Sequence, residues 1–229
     1  MSVVVVTGAG RGIGRAIAEA FAARGHDLAL IGRGTPDVES VANAITQQFP
    51  GQRAIAIGCD VASSSQVEGA RDRVLGELGA PAVVVNNAGV VHRARVEDTS
   101  EADWDHVVDV NLKGTFLVAR AFLPSMKGAR RGRLVQIASI SATLGTPKLS
   151  AYCASKWGVV GFTKSLAEEL RGTGLQTVAV LPGSVDTAML VGSGFPPQLS
   201  ARDVATTVVY LALEAPDAIN GAAIDVFGP

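Results

Sequence analysis

Short apolar runs rich in β-branched residues recur along the chain: VVVV (Val3 to Val6), LALI (Leu28 to Ile31), AIAI (Ala54 to Ile57), AVVV (Ala82 to Val85), LVQIA (Leu134 to Ala138), TVAVL (Thr177 to Leu181) and AAIDVF (Ala222 to Phe227). They stay apolar almost without interruption, which is how strands buried on both faces read. Between them lie stretches long enough for helices, at Ile13 to Arg24, Val38 to Phe49, Gln66 to Leu78, Glu101 to Met126, Tyr152 to Arg171 and Ala201 to Glu214. Strand and helix therefore alternate throughout. A helix between two strands is a crossover, and crossovers join parallel neighbours. The pattern predicts an α/β fold whose parallel sheet carries helices on both faces.

At 229 residues the chain can enclose one sizeable core, and with no Pro/Ser/Gly-rich linker or internal repeat it is expected to form a single domain over residues 1–229. Lysine and arginine (20) nearly balance aspartate and glutamate (21), leaving a formal net charge of -1 and a pI near 6.3. Such a balance lacks the basic field that nucleic acid or an anionic membrane surface would select, so neither is expected as a partner. Cys59 and Cys153 have neither the number nor the spacing of a disulfide framework or zinc site, which fits a reducing, cytoplasmic setting. The N-terminal apolar run ends after four valines with no basic stretch ahead of it, so it reads as a strand and not as a signal peptide or membrane span.

Candidate chemistry begins straight after the first strand, at TGAGRGIG (Thr7 to Gly14), which opens a helix near Ile13. Gly8, Gly12 and Gly14 let the backbone turn tightly and approach a pyrophosphate, whose charge meets unpaired N–H groups and the positive end of the helix dipole. Arg15 and Ala16 follow where a nucleoside-triphosphate loop would have lysine and a hydroxyl residue, which excludes that class. At the end of the second strand, where a carboxylate would hold an NAD ribose, stand Gly32 and Arg33. Arg33, with Arg11 in the glycine loop, is suited to a 2′-phosphate, so NADP(H) is expected over NAD(H).

Further along, in SAYCASKWG (Ser150 to Gly158), Tyr152 and Lys156 stand four residues apart, one above the other on a helix face. Alone, that spacing is also what an ordinary amphipathic helix yields by chance. Together with TGAGRGIG, NNAG (Asn86 to Gly89), Asn111 and Ser139 in order, it resembles the short-chain dehydrogenase/reductases over essentially the whole chain. The resemblance implies a Rossmann-type, doubly wound sheet of about seven strands in the order 3-2-1-4-5-6-7, with the cofactor across the carboxyl ends of the strands.

The resemblance also implies roles. Tyr152 would give its phenolic proton to a carbonyl oxygen, or take it back from an alcohol, while nicotinamide exchanges hydride with the carbon. Lys156 would pull the phenol's pKa down and bind the nicotinamide ribose, Ser139 would donate to the developing oxyanion, and Asn111 would hold a water that reloads the proton. Besides Gly8, Arg11, Gly12, Ile13, Gly14 and Arg33, cofactor contacts would come from Asp60 and Val61 at the adenine, from Asn87, Ala88 and Gly89 near the adenosine ribose, and from Pro182, Gly183, Val185 and Thr187 at the carboxamide. No metal site is suggested. The partners expected are a small carbonyl or alcohol substrate and further copies of the chain, as a homotetramer or dimer.

Three features depart from the family or extend it. Between Thr187 and the helix starting near Ser200 the stretch is shorter than the family's usual helical lid, leaving an open pocket walled by Val90, Val91, Leu144, Leu149, Met189 and Phe195. Lys127, Arg130, Arg131 and Arg133 read either as a solvated turn or as a basic patch for an acidic carrier protein bearing a 3-oxoacyl thioester. His92, Arg93 and Arg95 read as solvated loop residues or as a greeting for an anionic substrate. The competing class of function is a catalytically idle NADP(H)-sensing regulatory protein on the same fold, which would have no use for the Tyr152–Lys156 pair.

Overall fold

A computed structural model describes residues 2–128 and 132–228. In chain order the main elements are β1 (Val3–Thr7), α1 (Gly12–Ala22), β2 (Asp27–Gly32), α2 (Thr35–Gln48), β3 (Ala54–Gly58), α3 (Ser64–Glu77), β4 (Pro81–Asn86), α4 (Glu101–Val108), α5 (Gly114–Lys127), β5 (Gly132–Ile137), α6 (Ser150–Glu169), β6 (Leu175–Pro182), α7 (Ala201–Leu213) and β7 (Ala223–Val226). The strands make one sheet in the order β3-β2-β1-β4-β5-β6-β7, with each neighbouring pair parallel. This is the doubly wound order expected from the sequence.

Alternate residues of each strand explain why the apolar runs are unbroken. Val4, Val6, Leu28, Leu30, Val83 and Val85 pack on one side against Ile17 and Phe21 of α1, Val38 and Ile45 of α2, and Val204 and Val208 of α7. Val3, Val5, Ala29, Ile31, Val84 and Leu134 pack on the other side against Val67 and Val74 of α3, Leu117 and Phe122 of α5, and Leu166 near the end of α6. Each such side chain, fully buried, contributes roughly 1.5 to 3 kcal/mol, so neither face can afford a polar residue without a partner.

The helix predicted over Glu101 to Met126 is interrupted. After α4 the chain makes a π-turn at Asp109–Lys113 before α5 resumes, and Asn111 sits in that turn, where the Thr115 hydroxyl donates to its carbonyl at 2.7 Å. Such turns insert one residue into the helical ladder and redirect side chains.

The basic patch also needs correction. Arg130 and Arg131 lie outside the described residues. Arg133 is part of β5 and buried, donating to the Leu211 and Ala215 carbonyls at the C-terminus of α7 and to Gln176 Oε1, with Asp217 Oδ1 at 3.6 Å. A guanidinium answering a helix's terminal carbonyls is structural. Among the described residues, no helix is long and apolar enough to cross a membrane.

Candidate active site

The strand order reverses between β1 and β4, and the crevice where ligands bind in such sheets lies beyond their carboxyl ends. Two loops meet there. Thr7, the last residue of β1, is buried, and its hydroxyl oxygen accepts from both Asn87 N and Ala88 N at 3.0 Å. Asn87 Nδ2 returns a bond to Thr7 O at 3.0 Å, while Asn86 Nδ2 reaches Gln136 Oε1 at 2.8 Å. The two asparagines thus tie β4 to both of its neighbours.

The glycines permit this stitching. Gly8 has φ 65 and a Cβ there would come 2.9 Å from Ala88 Cα; a Cβ on Gly14 would overlap the Gly8 carbonyl and lie 2.5 Å from Asn87 Nδ2. Gly14→Ala must therefore part β1's loop from β4's. A cost of about 3 kcal/mol is expected, seen as a melting temperature lower by roughly 6 to 12 °C; an unchanged melt would mean the two loops are not packed together as described.

Thr187 approaches the same loop from the far side, its Cγ2 3.3 Å from where a Gly12 Cβ would stand. The segment carrying it is held at both ends: Gly183 N donates to Val226 O at 2.8 Å, and Val185 bridges in parallel with Leu199. Between them, the chain from 188 to 194 forms turns with no helix, and Met189, Val191 and Phe195 are exposed. The short lid expected from the sequence is a strap of turns. Arg11 and Arg33 both lie exposed at the crevice edge, and the Asp60 carboxylate accepts from Ala62 N at 3.0 Å.

The catalytic candidates converge at the carboxyl end of β5. Ser139 follows the strand in extended backbone, its hydroxyl oxygen accepting from Ser141 N at 3.1 Å and also engaging the Tyr152 phenol. Lys156 is buried; its Nζ donates to Ile137 O at 2.8 Å and stands 5.6 Å from the centre of the Tyr152 ring. Asn111 is also buried. Its Oδ1 accepts from Val90 N at 2.8 Å, and its Nδ2 donates to Val90 O and Ser155 Oγ, both at 3.0 Å. Ser155 Oγ in turn donates to Tyr152 O at 2.7 Å. Both N–H donors and the oxygen of the Asn111 amide are thus bonded to protein, clamping the loop after β4 to α6.

Burial pushes the Lys156 ammonium down to about 8. Burial also pushes the Tyr152 phenol up, opposed by the Ser139 hydrogen bond and the positive charge of Arg93, with the neighbouring Cys153 adding to the rise. The expectation that Lys156 holds the phenol below its ordinary value is not met: desolvation outweighs the charges around it.

A profile of the family described as short chain dehydrogenase matches residues 2–194. The chain belongs to this family. The short-chain dehydrogenases bind NAD(P), and this one is an oxidoreductase. It is 36% identical to D-threitol dehydrogenase of Mycolicibacterium smegmatis, covering 99% of this chain and 91% of that one. Against the 3-oxoacyl-[acyl-carrier-protein] reductase of Staphylococcus epidermidis it is 34% identical, over 98% and 96% of the two chains. The crystal structure of a 3-ketoacyl-ACP reductase from Sinorhizobium meliloti superposes with a TM-score of 0.92 at 32% identity, over 99% and 97%.

Two site features of this short-chain dehydrogenase escaped the sequence reading. Thr7 is the hinge pin of the two loops, and its signal was available: a lone hydroxyl closing an apolar run just before the glycines. Gly158 has a similar excuse, since a Cβ there would come 2.6 Å from Leu112 Cδ2, which lets α6 press onto the π-turn that carries Asn111.

Proposed function

We propose that this short-chain dehydrogenase exchanges hydride between NADP(H) and a small carbonyl or secondary alcohol, with Tyr152 as the proton-transferring residue. The observation that carries the reading is the convergence of Ser139, Tyr152 and Lys156 at the carboxyl end of β5, beside the glycine-lined crevice. The glycine loop suits a dinucleotide: side chains at Gly8 or Gly14 would part the two loops that meet at the crevice and one at Gly12 would press on Thr187, and Arg11, Ile13, Asn87, Ala88, Gly89, Val61, Asp60, Pro182, Gly183, Val185 and Thr187 would contact the bound cofactor. When bound, nicotinamide supplies or accepts the hydride.

The buried phenol keeps its proton at neutral pH, the state in which it can give that proton to a carbonyl oxygen. Ser139 orients the phenol and stands ready to donate to the carbonyl oxygen. Lys156, anchored on Ile137 O, supplies positive charge and free N–H donors toward the crevice; the space left by Gly89, whose Cβ would be 3.6 Å from Nζ, keeps that approach open. Asn111 acts as a positioning residue, since its amide holds Val90 and Ser155 while its π-turn shapes the route to solvent. Ketones and 3-oxoacyl thioesters are the substrates tested first, in line with the names of the relatives.

NADP(H) is preferred because no carboxylate closes β2 and Arg33 stands there exposed. Asp37, in the first turn of α2 and packed against Gly10 and Gly34, works the other way and makes the comparison a sharp one. Arg33→Ala is expected to weaken NADPH about tenfold or more while NADH changes less than about threefold. Titration by fluorescence measures both, and equal or tighter NADH binding by the unaltered protein rejects the preference. Exposed Trp104, Phe116 and Trp157 on α4, α5 and α6 support pairing between copies through those helices, and the free, unreactive thiol of Cys59, raised to about 11 chiefly by burial, fits a cytoplasmic location.

A further inference from the structure

The loop leaving β4 carries three bases, His92, Arg93 and Arg95. Two have carboxylates nearby: His92 Nδ1 lies 3.6 Å from Asp103 Oδ1, and Arg95 Nη1 lies 3.6 Å from Glu97 Oε1. Arg93 differs. Among the described residues, no carboxylate reaches its guanidinium, and its hydrogen bond goes to a backbone carbonyl, Nη2 to Met189 O at 2.7 Å. One of five N–H donors is used there.

Its position is held from two sides. Met189 belongs to the turns that follow β6, and the residue after Arg93, Ala94, donates from N to Lys148 O at 3.1 Å, in the turn that leads into α6. Lys148 takes the left-handed conformation, φ 65, which costs a lysine energy that surrounding contacts must offset. Tyr152 lies four residues further on, and the charge of Arg93 is near enough to act on its phenol. Along the chain, the residues nearest this segment, Val90, Val91, Leu149 and Met189, are apolar. A half-buried guanidinium with donors unspent and no carboxylate beside it among the described residues can take an anionic ligand without first breaking an ion pair.

We propose that Arg93 determines specificity at this site, its planar fork taking the carboxylate of a small oxo acid whose carbonyl faces Tyr152 between the apolar walls. The proposal rests on the oxidoreductase reading of the same cleft. It narrows the substrate from any apolar ketone to one with an anionic end.

The test compares 3-oxobutanoate with its methyl ester, which keeps the carbonyl and removes the charge. Each is titrated calorimetrically into protein saturated with whichever oxidised dinucleotide binds more tightly, a combination that cannot transfer hydride to a ketone. The acid is expected to bind the unaltered protein about tenfold or more tighter than the ester. Arg93→Gln should remove that advantage while the ester's Kd moves less than about twofold, and Arg93→Lys should restore part of it. Equal binding of acid and ester, failure of both to bind, or an equal loss for both in Arg93→Gln overturns the assignment; the last result would make Arg93 a strut for the Met189 segment. Carboxylate preference without turnover of either compound by reduced dinucleotide keeps the Arg93 site and removes the catalytic reading. Turnover of ketones without carboxylate preference does the reverse.

Discussion

Tyr152→Phe is expected to lower the turnover of carbonyl reduction by about a hundred to ten thousandfold, with dinucleotide binding changed less than about threefold. The substitution deletes one oxygen and keeps the ring. Lys156 keeps its bond to Ile137 O, because its ammonium rests on that carbonyl and not on the phenol. The Tyr152 carbonyl still accepts from Ser155 Oγ, so the clamp from Asn111 through Ser155 to α6 survives. Only the proton donor and its hydrogen bond with Ser139 are lost. Loss of reduced-dinucleotide absorbance with a ketone panel measures the effect, and equal turnover by the two proteins would remove Tyr152 from the chemistry. If neither protein turns over any ketone while both bind dinucleotide tightly, the fold serves as a sensor.

Lys156→Met should separate activity from stability in opposite directions. Activity falls, by about a hundredfold or more, because the buried charge beside the phenol and the donors facing the crevice disappear together. Stability at neutral pH rises. The folded pKa of Lys156, about 8, lies below the ordinary lysine value of 10.5, so between those pH values the unfolded chain holds the extra proton. Stability of the unaltered protein therefore climbs as pH rises from about 8 to 10.5, and below 8 the buried ammonium costs roughly 3 kcal/mol relative to the top of that window. Methionine has nothing to titrate, and its loss of the bond to Ile137 O offsets about 1 to 3 kcal/mol of that gain. Chemical denaturation at pH 7 and pH 10 checks this: the variant should exceed the unaltered protein at the lower pH and lose its lead at the higher one. A variant less stable at both would mean the ammonium is well solvated in the fold.

The retained destabilising charge also bears on the phenol. Both groups are shifted toward their neutral forms by desolvation, and the Ser139 hydrogen bond and, more weakly, the charge of Arg93 on a different loop pull the Tyr152 phenol the other way.

Periodicity and spacing along the chain determined the strands, the glycine loop and the Tyr152–Lys156 pair, because each depends on neighbours within a few residues or on which face of an element a residue occupies; the order of the sheet came only from the family resemblance. Thr7 meeting Asn87 and Ala88 about eighty positions away, Arg133 turning inward to the end of α7, and the π-turn at Asn111 were decided only by the tertiary structure. So were the rise in the Tyr152 pKa and the isolation of Arg93. Desolvation and pairing depend on distances through space, and a one-dimensional pattern says which groups a chain owns without saying which of them end up dry, paired or alone.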